Sequence, residues 1–208
     1  MSFTMTQNLR ISGGAIPAGQ TDVLRATASG VLEQDLGAFT FRIVQGASHA
    51  SYQMAFNSTD LFVKVQGKWR SVPVEAVTSL FPALHLRLLW QSVLLAAKVT
   101  ESGLIVDRGL LREYVATPAI DQLEQLQSLT VTSATEPYFL AHAKGSVAVY
   151  LTVPASTLQR IEVKLSATDP VSSESQTVDN NVVFHQSSRH PGPGPASSAR
   201  VTPGSLFS

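Results

Sequence analysis

The sequence predicts an α+β fold, a large curved antiparallel sheet (a half-barrel) with its helices packed on one concave face. Three observations predict it. Apolar and polar residues alternate with period two through most of the chain. The period becomes helical after Pro73. A second helical pattern opens at Thr117-Pro118, with the threonine placed as an N-cap and the proline at the first helical position.

Phe3 and Met5 alternate with Thr4 and Thr6 in a first strand, which ends in the turn cluster SGGAIPAG, and TDVLRATASGVLEQD reads as the second. AFTFRIV puts Phe39, Phe41 and Ile43 on one face, and SYQMAF does the same for Tyr52, Met54 and Phe56. The stretch DLFVKVQGKWRSVP follows as one further strand, with Leu61, Val63 and Val65 on one side and Phe62, Lys64 and Gln66 on the other. Together these form an antiparallel meander. Residues 74–81 then read as a short helical piece and 83–97 as a helix that is apolar almost all round. KVTESGLIV and LLREYVA, joined by Asp107-Arg108-Gly109, form a hairpin. TPAIDQLEQLQSL reads as the second helix, with Ile120, Leu123 and Leu126 as its inner stripe. Two strands follow, with Val147, Val149, Leu151 and Val153 inward on one and Ile161, Val163 and Leu165 inward on the other, and NNVVFHQ closes the order. Residues 1–186 make one domain, and 187–208 are a Pro/Gly/Ser-rich tail with little to bury.

Charge and composition exclude several functions. Fifteen Lys+Arg balance fifteen Asp+Glu, and the basic residues are scattered, so nothing is built to hold a phosphate backbone and no nucleic-acid partner is expected. Charged residues are only 14% of the chain, which favours an extracytoplasmic domain. There is no cysteine, hence no disulfide, thiolate metal site or cysteine nucleophile. His49, His85, His142, His185 and His190 show no metal-ligand spacing, so no metal is expected. No phosphate-cradling glycine loop or nucleophile elbow occurs, and the acidic residues stand singly. The sequence therefore reads as no enzyme, with no catalytic residue and no cofactor. The segment 83–97 is too short for a bilayer span, and the N-terminus lacks the pattern of a signal peptide.

What is distinctive is apolar. Inward aromatic and aliphatic residues on a sheet too wide for one covering layer would line a cavity suited to an acyl chain. The candidate ligand-binding residues are Phe41, Ile43, Met54, Phe56, Val63, Leu89, Trp90, Val93, Leu94, Tyr114 and Val149. Taken singly, each is equally at home in a packed core.

The order of Phe62-Val63-Lys64 with Gly67, Trp69 and Pro73, then Gly145 to Leu151, then Leu158 to Arg160, resembles the LppX/LprG-type lipoproteins of actinobacteria. These are related in fold to the LolA/LolB lipoprotein carriers. The resemblance spans roughly residues 3–186. It implies a non-enzymatic domain of the cell envelope that binds and transfers a lipid, an acylated lipoglycan or another lipophilic ligand in an apolar cavity. It also implies a possible membrane-transporter partner, and makes Trp69 a closing residue at a strand end. Members of the family begin with a signal peptide, a lipobox cysteine and an amphipathic helix. The expectation is that such a segment belongs ahead of Ser2, so that attachment to the membrane surface would run through an anchor absent from this chain. The competing expectation is a structural or interaction module that docks an envelope protein through an apolar helix face.

Overall fold

A computed structural model describes residues 1–33, 36–56, 60–73, 98–106, 109–117 and 143–185. Their strands are β1 (Ser2–Ser12), β2 (Asp22–Glu33), β3 (Leu36–Gln45), β4 (Ser48–Phe56), β5 (Asp60–Val65), β6 (Lys68–Pro73), β7 (Lys98–Val106), β8 (Leu110–Thr117), β9 (Lys144–Thr152), β10 (Leu158–Thr168) and β11 (Ser175–His185). All eleven join one sheet in the order β6-β5-β4-β3-β2-β1-β11-β10-β9-β8-β7, and every pairing is antiparallel.

This overturns the α+β expectation. The described residues are all-β and contain no helix. The helices expected at 74–81, at 83–97 and from Pro118 onward lie outside the described residues, as does the tail 187–208. Thr117, expected to cap a helix, is the last residue of β8 and pairs with Lys98 of β7, and the helix it would cap lies outside the described residues. The physical reason is local. A β-branched residue after Val115 and Ala116 extends the ladder, and a following proline suits the end of a strand as well as the start of a helix, because it has no N–H to donate.

The first and last strands meet in the middle of the sheet, where Phe3 faces Phe184 and Met5 faces Val182. Alternate residues then fall on a common face, except at the register shifts between Leu158 and Arg160 on β10 and between Glu101 and Gly103 on β7. On β1 that face carries Phe3, Met5, Gln7, Leu9 and Ile11, against Thr4, Thr6, Asn8 and Arg10 on the other side. Size is matched across strands. β2 presents the small residues Ala26, Ala28 and Gly30 between Met5 and Phe3 on β1 and Ile43, Phe41 and Phe39 on β3. The large side chains close over this narrow lane. The Phe3 and Phe39 rings meet edge to face at 6.0 Å, and Phe39 meets Phe56 at 6.2 Å. Full burial of a side chain such as Phe3 contributes about 1.5–3 kcal/mol.

Two turns depart from the sequence reading. DLFVKVQGKWRSVP is a hairpin rather than one strand, because Gln66 and Gly67 both adopt positive φ, 48° and 77°, and reverse the chain in two residues. That pair of left-handed residues matches the twist of the flanking strands. Val153, expected on the strand with Leu151, lies past the end of β9, and its N–H donates to the Leu110 carbonyl at 2.9 Å.

The β10–β11 turn is held by Asp169, whose buried carboxylate accepts from the Val171 N–H at 2.9 Å and from the Ser172 hydroxyl at 2.6 Å. Gly13, in the β1–β2 connection, lies against this turn so closely that a Cβ there would stand 2.2 Å from the Ser173 carbonyl oxygen.

Candidate functional site

Seven of the predicted ligand-binding residues are described, and all seven lie on the same face. Phe41 and Ile43 come from β3, Met54 and Phe56 from β4, Val63 from β5, Tyr114 from β8 and Val149 from β9. The register ties them together. Met54 faces Val63, while Phe41 faces Ala28, which faces Met5. Met5 faces Val182, and the row continues through Ile161 and Val149 to Tyr114. Leu89, Trp90, Val93 and Leu94 lie outside the described residues.

The seven form two groups rather than one patch. Phe41 and Val149 are separated by five strand spacings, roughly 24 Å along the sheet at about 4.8 Å each. The residues that join the groups, Met5, Ala28, Val182 and Ile161, were read as inward-facing or strand residues but not as part of the site. Only the pairing of β1 with β11 reveals their role, and that pairing spans nearly the whole chain.

Burial on this face is graded. Phe3, Met5, Leu61, Val63, Val147 and Val182 are essentially inaccessible. Toward the Ser12 end of β1 the apolar side chains become half-buried, as at Leu9, Leu24 and Leu165. The face thus ends in an apolar rim that water reaches, beside a row that it does not. In the row just inside the rim, two polar residues interrupt the hydrocarbon. Gln7 and Asn180 stand directly opposite each other on β1 and β11, 7% and 3% exposed.

Trp69, which the resemblance made a closing residue, is on the opposite face. It pairs with Lys64, whose ammonium lies 5.8 Å from the indole centroid. It therefore takes no part in the apolar face.

The opposite face also carries the densest polar cluster described. The Tyr150 hydroxyl on β9 donates to Glu113 on β8 at 2.6 Å and lies 3.2 Å from Glu162 on β10. Arg160 binds Glu162 at 3.0 Å and covers the Tyr150 ring, its guanidinium carbon 4.1 Å from the centroid. Burial, and then the hydrogen bond to Glu113, push the phenol up to about 12. A phenol so held stays protonated near neutrality and is a poor base or nucleophile, so the cluster is suited to clamping three strands together. At the β7–β8 edge, Arg112 pairs with Glu101 at 3.2 Å, and the Tyr114 hydroxyl followed by that carboxylate holds the guanidinium above its ordinary value. Among the described residues no group of three or more His, Asp or Glu is placed to hold a metal ion.

No family model matches the chain, and no curated protein matches it.

Proposed function

We propose that this chain is a non-enzymatic carrier that binds a lipid or similar lipophilic molecule on the buried face of its sheet, working outside the cytoplasm as the LppX/LprG-type lipoproteins do. The observation that carries the reading is the apolar face itself. It extends from β5 to β9 as one packed apolar cluster, interrupted at Gln7 and Asn180, and ends in a half-exposed apolar rim, a gradient that suits entry of a chain from the rim toward Met5 and Phe3.

The binding force is burial. Each 100 Å² of apolar ligand surface removed from water contributes about 2.5 kcal/mol, so one acyl chain supplies several kcal/mol with no directional chemistry. Such a site discriminates by length and shape more than by functional group, which suits a carrier that must also release its cargo. Transfer to or from a membrane transporter belongs to the same proposal.

Titration with cis-parinaric acid, a fluorescent polyene fatty acid, tests the reading. Saturable enhancement that unlabelled fatty acid reverses is the expected result. Ile43→Glu places a charge at a half-buried position of the row that carries Ala26, Gln7 and Asn180, and lowers affinity at least tenfold. Absence of saturable binding, or equal affinity in the Ile43→Glu protein, contradicts the proposal.

A further inference from the structure

The apolar face contains one feature that a plain hydrocarbon ligand leaves unexplained. Asn180 on β11 is 3% exposed, and its side-chain carbonyl oxygen has no hydrogen-bond partner among the described residues. Its neighbours on the face are apolar: Val178 and Val182 along its own strand, and Val163 across on β10. On the other side it faces Gln7, which is itself flanked by Met5 and Leu9 and faces Ala26. Two primary amides therefore stand side by side in an otherwise hydrocarbon row.

An unsatisfied buried carbonyl carries a desolvation cost, and a leucine or valine at this position would fit the alternation of β11 without it. A buried polar group with no partner calls for an explanation, and a ligand that supplies the partner is one. The position is informative. Gln7 and Asn180 occupy the row immediately inside the rim formed by Leu9, Leu24 and Leu165, one side-chain repeat or about 7 Å along the strands. Beyond them Met5 and Phe3 and their direct cross-strand partners Ala28, Val182, Gly30 and Phe184 are all apolar or lack a side chain. A ligand entering from the rim would place its tail past Met5 and the junction of tail and headgroup at the amide pair.

Resting on the carrier reading, we infer that Asn180 and Gln7 form a polar anchor and that the ligand presents a hydroxyl group there. A hydroxyl is the fitting partner because it both donates and accepts, so a single group serves the Asn180 carbonyl and an amide of Gln7 together. The cargo class is accordingly an acyl chain with a hydroxyl close to its polar end, as in a monoacylglycerol or a glycolipid, rather than a simple ester or hydrocarbon. Such a contact adds selectivity that burial alone does not give, since a site built to bond a hydroxyl disfavours the analogue that lacks it.

Competition against cis-parinaric acid with two matched pairs tests this. The first pair is 1-monopalmitin and methyl palmitate, in which the hydroxyls lie at the headgroup. The second is 12-hydroxystearate and stearate, in which the hydroxyl lies in the chain. The native protein is expected to prefer 1-monopalmitin over methyl palmitate at least tenfold and to show little preference within the second pair. In Asn180→Leu the first preference collapses to near unity, while methyl palmitate binds as well as before or better. Asn180→Ser, smaller and still polar, retains part of the preference and covers the case in which the leucine protein fails to fold. Equal binding of monopalmitin and methyl palmitate by the native protein overturns the anchor and leaves the carrier reading intact. So does a preference that survives Asn180→Leu, or one confined to the 12-hydroxy pair. Failure of all four lipids and of the probe to bind overturns the carrier reading itself.

Discussion

Gly30 offers the sharpest test of how the face is packed, because two physical effects predict opposite signs there. The residue sits on β2 with Phe3 on one side and Phe39 on the other, and those rings meet edge to face above it. Replacing glycine by alanine in a strand removes backbone freedom from the unfolded chain, which by itself stabilises by about 0.5–1 kcal/mol. Space argues the other way. The added Cβ would lie 2.1 Å from the Ala38 carbonyl oxygen and 2.5 Å and 2.6 Å from the Phe39 Cβ and Cα. Ordinary contact is about 3.5 Å, so the strands must part by more than an ångström, and no rotamer change relieves the clash with main-chain atoms. Overpacking of this kind costs about 1–3 kcal/mol, and displacing the ring contact a further 0.5–1.5 kcal/mol. The net for Gly30→Ala is a loss of about 0.5–4 kcal/mol, centred near 2 kcal/mol. In urea unfolding, with a slope of about 2 kcal/mol/M, the midpoint falls by about 1 M. Ser29→Ala, the adjacent position pointing to the exposed side, is the control and stays within about 0.5 kcal/mol. A midpoint for Gly30→Ala equal to or above that of the native protein would refute the packing argument.

Tyr150 gives a pH prediction. Its folded-state value is raised from 10.0 to about 12, so its contribution to stability is whole below pH 10 and disappears as the pH rises toward 12. The loss amounts to about 1 kcal/mol, less than the full shift implies because water at the sheet face screens the carboxylates. Tyrosinate absorbance should therefore show a late step near pH 12, and Tyr150→Phe should remove that step. Finding the late step unchanged in Tyr150→Phe assigns it to another residue. At the β10–β11 turn, Asp169→Ala deletes the acceptor for Val171 and Ser172 and costs about 1–3 kcal/mol, measured as a lowered urea midpoint. Asp169→Asn keeps one acceptor and should lose less; equal losses for the two variants would discard the turn explanation.

Much of the sheet was legible because its signal is local. Alternation in Phe39-Phe41-Ile43, Tyr52-Met54-Phe56 and Ile161-Val163-Leu165 fixes which face each residue joins, and a two-residue period leaves no intermediate choice. The β7–β8 hairpin was likewise readable from its two apolar runs and the intervening glycine.

What failed was either non-local or ambiguous in kind. Pairing of β1 with β11 brings residues more than 160 apart into register, and nothing near Phe3 or Phe184 announces it. The Gln66-Gly67 turn was read through as strand because glutamine seldom takes a left-handed conformation, and its hydrophobic neighbours continue the alternation on both sides. Extending helical patterns into the fold class gave α+β, where the described residues give a sheet alone, and Thr117 shows how one β-branched residue before a proline fits either ending.

The candidate site divides the same way. Phe41, Met54, Val63 and Val149 were accessible to pattern reading, whereas Gln7 and Asn180 form a pair only once the first and last strands are adjacent.

The most direct measurement is native mass spectrometry, with lipid extraction, of the protein purified from a host with ordinary membranes. The account predicts a bound species heavier than the bare chain by the mass of one acyl lipid, lost on delipidation and restored when lipid is added back. A spectrum containing only the bare chain, unchanged by added lipid, would mean that side chains alone fill the buried face, and would contradict the account.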